Sequence, residues 1–228
     1  GNLVCFGERP SSPGTAVVKQ CCNDNGKQRV SGDEVTTAQR LCNGGIEARV
    51  LGLDKPAMSI TGSGAHGIIC TMPLYAEQQA RGLPEERLWR ATALSYLITM
   101  YIKEYSGKLS AFCGCAIAAG TGMACALAWL RGADYGQICG VINNMASSIT
   151  GMICDGGNRG CAMKGIIAVD AAFRSVDLAM RGAAVESVHG INGRTPEDTM
   201  RYMGRIASPG MIGTESAILE ILEEKQNA

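Results

Sequence analysis

The chain has 228 residues, 46% of them hydrophobic and 18% charged, and its 21 Lys+Arg are matched by 21 Asp+Glu. That length suits one large domain or two small ones with a real core, and the balance is globular rather than disordered. Zero net charge without a basic stripe or an acidic tail argues against a nucleic-acid partner.

Glycine is abundant at 30 and aromatics are scarce at 5%. Such a core closes through small side chains, which lets helix backbones approach, although Gly itself weakens helices. There are 11 cysteines, behind a start (Gly1-Asn2-Leu3-Val4) with no basic n-region or apolar run. The expectation is a cytoplasmic chain whose thiols serve metal or redox chemistry rather than disulfides. Most of them read as small buried hydrophobes.

Residues 1–32 read as an irregular segment, punctuated by Pro10, Pro13, Gly14, Asn23, Asn25 and Gly26, and residues 33–228 as one helical catalytic domain. Asp33 is placed to cap a helix running from Glu34 to about Leu51, with Gly44 and Gly45 inside it. After Asp54-Lys55-Pro56 and a short apolar stretch comes a Gly-rich loop, Thr61 to Gly67, leading into an apolar segment from Ile68 to Ala80. Pro84-Glu85-Glu86 starts a helix that runs to Tyr105 and stops at Gly107. Ala111 to Leu130 carries no charge and has the length of a membrane span, but its Gly, Thr and Cys content is weakly lipophilic. It reads as a buried central helix, with no membrane partner. Further helices are expected at 135–152, 161–181, 195–207 and 212–224, with Gly132 and Gly182 where C-caps belong and Thr195-Pro196-Glu197-Asp198 as a start. No alternating run exceeds four residues, so the fold class is all-α: a compact, Gly/Ala-rich helical domain.

Two cysteine segments stand out. One is Phe112-Cys113-Gly114-Cys115; the other runs from Cys154 through Asp155-Gly156-Gly157-Asn158-Arg159-Gly160 to Cys161. A Gly-rich turn ending in Cys at a helix start stabilises a thiolate through free amides and the helix dipole. The spacing matches neither a zinc ribbon nor a ferredoxin, so spacing alone leaves metal site and buried core both open.

The blocks around these cysteines resemble the iron–sulfur L-cysteine desulfidases and, more distantly, the α part of iron–sulfur L-serine dehydratases. They are Tyr101-Ile102-Lys103, then Leu109 to Cys115; Gly151 to Gly156, continuing through Cys161-Ala162-Met163-Lys164; and a C-terminal run with Glu197-Asp198-Thr199-Met200, Gly210-Met211 and Thr214-Glu215. The likeness covers roughly residues 40–228. It implies a serine dehydratase α-like fold and a [4Fe-4S] cluster held by Cys113, Cys154 and Cys161 with one iron open to substrate. Cys115 is the rival for the first place. The implied activity is elimination of sulfide or water from a small L-amino acid, such as cysteine or serine, giving pyruvate and ammonia.

Ser63 and Gly64 belong to a loop that this family usually writes with Asn-Gln where this chain has Ala65-His66; they are expected to bind substrate. His66 and Lys164 are the candidate catalytic groups, and Asn143-Asn144 are candidate pocket-lining amides. Each has a plainer reading as a turn, a structural histidine, a solvated lysine or a core amide. Asp155 is expected to cap the following helix, His189 to lie on the surface, and Cys139 to be core. The Gly-Cys-Thr-Glu-Pro block of the desulfidases and the Ser-Ser-His segment of the dehydratases are not found. The chain therefore reads as a cluster-bearing half, completed by a complementary subunit, or as a homo-oligomer. Rival readings are an electron-transfer or sensor centre with Cys115 or Cys70 as a fourth ligand, a structural zinc site, and a noncatalytic cluster-bearing subunit.

Overall fold

The computed structural model describes residues 16–107 and 110–227. Pro10, Pro13, Gly14, Cys5 and Leu109 lie outside the described residues. The helices are α1 (Ala16–Asp24), α2 (Glu34–Val50), α3 (Gly64–Arg81), α4 (Glu85–Ser106), α5 (Gly120–Leu130), α6 (Tyr135–Ile149), α7 (Gly160–Met180), α8 (Pro196–Arg205) and α9 (Ile212–Gln226). Among the described residues there is no strand, only isolated bridges between Ile60 and Ser63 and between Phe112 and Ile153. The architecture is all-α, as the sequence implies.

Local chemistry sets most boundaries. The Asp33 carboxylate accepts the Thr36 amide at 2.7 Å, and the Thr195 hydroxyl accepts that of Asp198 at 3.1 Å, just before Pro196. Asp134 and Gln137 form a reciprocal capping box at the head of α6. Gly132 and Gly182 follow the ends of α5 and α7 with φ of +85° and +78°, the left-handed turn that glycine adopts without strain.

Helix α5 is the axis of the molecule. All its residues but Trp129 are buried, and α3, α4, α6 and α7 pack around it. Met123 and Leu127 are fully covered, each contributing roughly 1.5–3 kcal/mol of apolar burial. Gly122 lets α4 come close: a methyl group there would stand 2.3 Å from the Ser95 carbonyl oxygen and 2.4 Å from the Thr99 hydroxyl.

Three details differ from the sequence expectation. Helix α1 lies inside the segment read as irregular. Val18 and Cys21 on one face are buried, and the Asn43 amide of α2 donates to Cys21 Sγ at 3.1 Å, so packing rather than length sustains a nine-residue helix. The uncharged stretch is not one helix from Ala111. Residues 111–114 are irregular, Cys115–Ala119 form a wide π turn with the Ala119 amide on the Gly114 carbonyl at 2.9 Å, and only then does α5 begin. No helix among the described residues is long and apolar enough to cross a membrane. Finally, the expected 195–207 helix ends at Arg205, and a kinked turn through Ser208 and Pro209 leads to α9.

A buried ionic network ties the far end together. Glu77, fully covered on α3, accepts from Arg131 at 2.7 Å and also pairs with Arg81. Arg131 further reaches Glu34 at 3.2 Å and Asp177 at 2.8 Å.

Candidate functional site

The two cysteine segments meet. The Cys113 amide donates to the Met152 carbonyl at 3.1 Å and the Cys154 amide to the Ala111 carbonyl at 2.6 Å. This short antiparallel contact sets Cys113 beside Cys154. The Gly-rich turn then carries the chain to Cys161 in the first turn of α7, where Asn158, not Asp155, accepts the Gly160 amide at 2.7 Å. A cleft of about 490 Å³ opens there, with the Gly-rich loop of residues 61–66 on its wall and Cys115, Cys154, Cys161, Lys103 and Arg49 also lining it.

Cys113 is buried just behind the wall. The S–H of Cys115 donates to it, and, against the cost of burial, the Ala116 amide and the Lys164 charge also hold it below the ordinary thiol range. The same hydrogen bond, with burial, pushes Cys115 up. Cys113 is thus the acidic partner, and Cys115 the one that lines the cleft. Burial raises Cys154, and the charges of Cys113 and Cys161 add to the rise. The three sulfurs therefore sit in one another's fields. Among the described residues no three His, Cys, Asp or Glu side chains converge closely enough to hold a single ion. The all-sulfur donor set of Cys113, Cys154 and Cys161 is of the soft type that holds an iron–sulfur group.

On the Gly-rich loop, Ser63 opens α3 without capping it through its side chain, so among the described residues the amides of Gly64, Ala65 and His66 take no side-chain cap at the positive end of an 18-residue helix. Ser63 Oγ lies 4.0 Å from Cys115 Sγ. His66 is buried, with Nδ1 2.6 Å from the Thr61 hydroxyl. That hydroxyl donates its one proton to the Ile60 carbonyl at 2.7 Å, so it accepts from His66. The histidine is then protonated on Nδ1, with Nε2 a bare acceptor. Thr61 takes a φ of +51° to do this, a conformation a β-branched residue adopts only under constraint. Burial, and then the nearby Lys103 charge, push His66 down to about 4, so it is neutral near pH 7.

Gly114 completes the arrangement. A methyl group there would lie 2.7 Å from His66 Nε2 and 3.3 Å from Lys103 Nζ; the missing side chain is what lets both nitrogens reach the cysteine segment. Lys103, quoted in the sequence only as part of a resembling block, is a site residue the sequence reading missed. It is 7% exposed at the end of α4; burial lowers its pKa, opposed by the thiols of Cys115, Cys154 and Cys113.

The other expected residues divide. Lys164 pairs with Asp155, which outweighs burial and holds it charged; it faces the cysteines as an ammonium, not as a base. Asp155 pairs chiefly with Lys164, and the Gly160 amide at the head of α7 goes to Asn158 instead. Asn143 and Asn144 do not line the cleft. Asn143 donates to the Val185 carbonyl at 3.1 Å and accepts from Thr199 at 3.0 Å. Asn144 is bonded to Ser175, Ala183 and Val185. Both fasten α6 to the 183–185 link, because a buried amide in an apolar helix takes the nearest free backbone groups. Cys139 is half-buried rather than core, near Tyr135. Cys70 is buried on Thr99 at 3.2 Å, away from the cleft lining. His189 is exposed, as expected.

Among curated proteins, a UPF0597 protein of Clostridium botulinum (strain Langeland, type F) is 47% identical over 208 residues, which is 91% of this chain and 47% of the relative. A UPF0597 protein of Caldanaerobacter subterraneus is 41% identical over 194 residues, 85% of this chain and 46% of the relative. One of Clostridioides difficile is 39% identical over 192 residues, 84% of this chain and 45% of the relative. The chain spans about half the length of the curated relatives it matches. No solved structure matches it. The sequence model of the serine dehydratase alpha chain matches residues 11–220, nearly the whole chain and every cysteine of the cleft, and the protein belongs to that family.

Proposed function

We propose that the chain is the cluster-bearing half of an iron–sulfur-dependent lyase that eliminates sulfide or water from a small L-amino acid such as cysteine or serine. The observation that carries this reading is the backbone contact of residues 111–113 with 152–154, which gathers cysteines from separate segments round one cleft. Cys113, Cys154 and Cys161 would hold a [4Fe-4S] cluster, which when bound supplies an electrophilic iron for the leaving group.

The chain's own residues supply the rest. The amides at the start of α3, the Ser63 hydroxyl and the Lys103 ammonium face a carboxylate in the cleft. His66 Nε2 takes the Cα proton. The electron pair left on Cα forms the Cα–Cβ double bond as the bond to sulfur or oxygen breaks, and the leaving group departs as hydrosulfide or hydroxide. The aminoacrylate tautomerises to an imine, and water converts it to pyruvate and ammonia. Lys164 balances the negative charge of the thiolates. Ten free thiols among the described residues fit a reducing compartment such as the cytoplasm.

A second reading, a four-thiolate electron-transfer or sensor centre, draws on Cys115, which lines the same cleft. One assay separates the two. The chain, purified and reconstituted without oxygen, is given L-cysteine or L-serine, alone and with the remaining half of the C. botulinum relative. Little pyruvate and ammonia alone, with turnover restored by the second half, is the expected result. A loaded cluster with no turnover in either case would sink the lyase reading, and full turnover by the chain alone would end the split-enzyme part of it.

A further inference from the structure

Helix α4 has two apolar faces. One carries Ala91, Ser95, Thr99 and Ile102 into the core. On the opposite side Trp89, Leu97 and Met100 are 62%, 64% and 51% exposed, with exposed Ala93 between them. At 3.6 residues per turn these four positions fall in one stripe about 16 Å long. Nothing else among the described residues covers it. A contiguous apolar stripe with an aromatic anchor is what a protein interface presents.

The charges at its ends say what fits. Arg90, Leu97 and Glu104 are spaced by seven residues, so they line one edge of the stripe, with the apolar residue midway between opposite charges. An edge written this way is complementary to itself when reversed. Helix α9 also exposes apolar residues, Ile212, Leu219, Ile221 and Leu222. Its charges are nearly all acidic (Glu215, Glu220, Glu223 and Glu224, against Lys225), so a second α9 would repel it.

We propose that the α4 stripe is the two-fold interface of a homodimer, in which α4 packs antiparallel against the same helix of a second copy, centred on Leu97. The two-fold axis sets Leu97 against the partner's Leu97 and Arg90 against the partner's Glu104, twice per dimer. Arg90 now pairs with Glu86 at 2.7 Å, both about two-thirds exposed; such a pair is weak and readily shared. The cleft lies at the other side of α4, since Lys103 belongs to its buried face, so both sites of the dimer stay open.

Sedimentation equilibrium of the chain tests this. A dimer is expected at micromolar concentration. Arg90→Glu and Glu104→Arg should each weaken it about tenfold, since each sets like charges together at two places, and the double variant should recover most of the loss. Leu97→Glu, at an exposed position that leaves the fold and its circular dichroism intact, should weaken it about a hundredfold or more. A chain that is monomeric at all concentrations, a dimer indifferent to Leu97→Glu, or a double charge reversal as weak as the single ones would each overturn the proposal.

Discussion

Arg131 and Lys103 are both cations withdrawn from water, and the fold treats them in opposite ways. Arg131 sits among Glu77, Glu34 and Asp177, each within 3.2 Å, and closes the end of the bundle away from the cysteines. Lys103 sits in the wall of the cleft beside His66, Gly114 and the cysteine segment, and burial lowers its pKa. The difference separates structure from chemistry. A buried charge surrounded by counter-charges holds helices together, while one in the wall of a cleft among ionisable sulfurs lies where a molecule in the cleft meets it.

Breaking the first of these should cost most. Arg131→Met leaves Glu77, a fully buried carboxylate, with Arg81 alone, and the expected loss is about 3–5 kcal/mol because an uncompensated buried charge remains. Urea denaturation measures it; a loss below about 1 kcal/mol would put the network among weak surface pairs.

The next effect depends on pH. His66 is held at about 4 in the folded protein, below its ordinary 6.5. The unfolded chain accepts a proton there that the folded protein refuses. Stability is therefore untouched above pH 6.5 and falls as the pH drops toward 4, by up to about 3 kcal/mol from this group. His66→Asn should flatten the stability curve over that window and leave it unchanged at pH 8. An equally steep curve in the variant would mean that His66 is not the buried neutral group described above.

The smallest effect sharpens the contrast. Lys103→Met removes a cation that burial disfavours and the neighbouring thiols favour, so its stability should change less than that of Arg131→Met. On the proposed lyase reading the same substitution should raise KM for the amino acid in the assembled protein far more than it lowers kcat, because that reading gives Lys103 the carboxylate and His66 the proton. A drop in kcat at unchanged KM would move Lys103 from binding to proton transfer.

Much of the fold was legible in short-range chemistry. Asp33, Thr195 and Pro196 mark helix starts, and Gly132 and Gly182 mark ends, because caps act within a few residues. The gathering of the cysteines was legible only through resemblance: the pairing of Phe112 with Ile153 joins residues 41 positions apart without a strand pattern in either. Lys103 left a faint signal. Ala91, Ser95 and Thr99 form a ladder of small residues four apart on α4, and a lysine at its next rung must enter the core. Asn143 and Asn144 misled because a polar pair in an apolar helix signals burial without saying what it faces; here it is the backbone of the 183–185 link. Helix α1 is too short to show periodicity, and the π turn at Cys115 follows directly on the distant contact of Cys113 with Met152, which no local pattern announces.

The central claim is that Cys113, Cys154 and Cys161 hold an iron–sulfur cluster, and metal content tests it most directly. The chain and its Cys154→Ser, Cys161→Ser, Cys113→Ser, Cys115→Ser and Cys139→Ser variants are purified without oxygen and analysed for iron and acid-labile sulfide. The account predicts close to four of each per chain, with a visible absorption that bleaches in air. It predicts loss of both in the Cys113, Cys154 and Cys161 variants and retention in the Cys115 and Cys139 variants. Equal iron in all five variants, or a colourless iron-free protein from cells that assemble clusters normally, would contradict it.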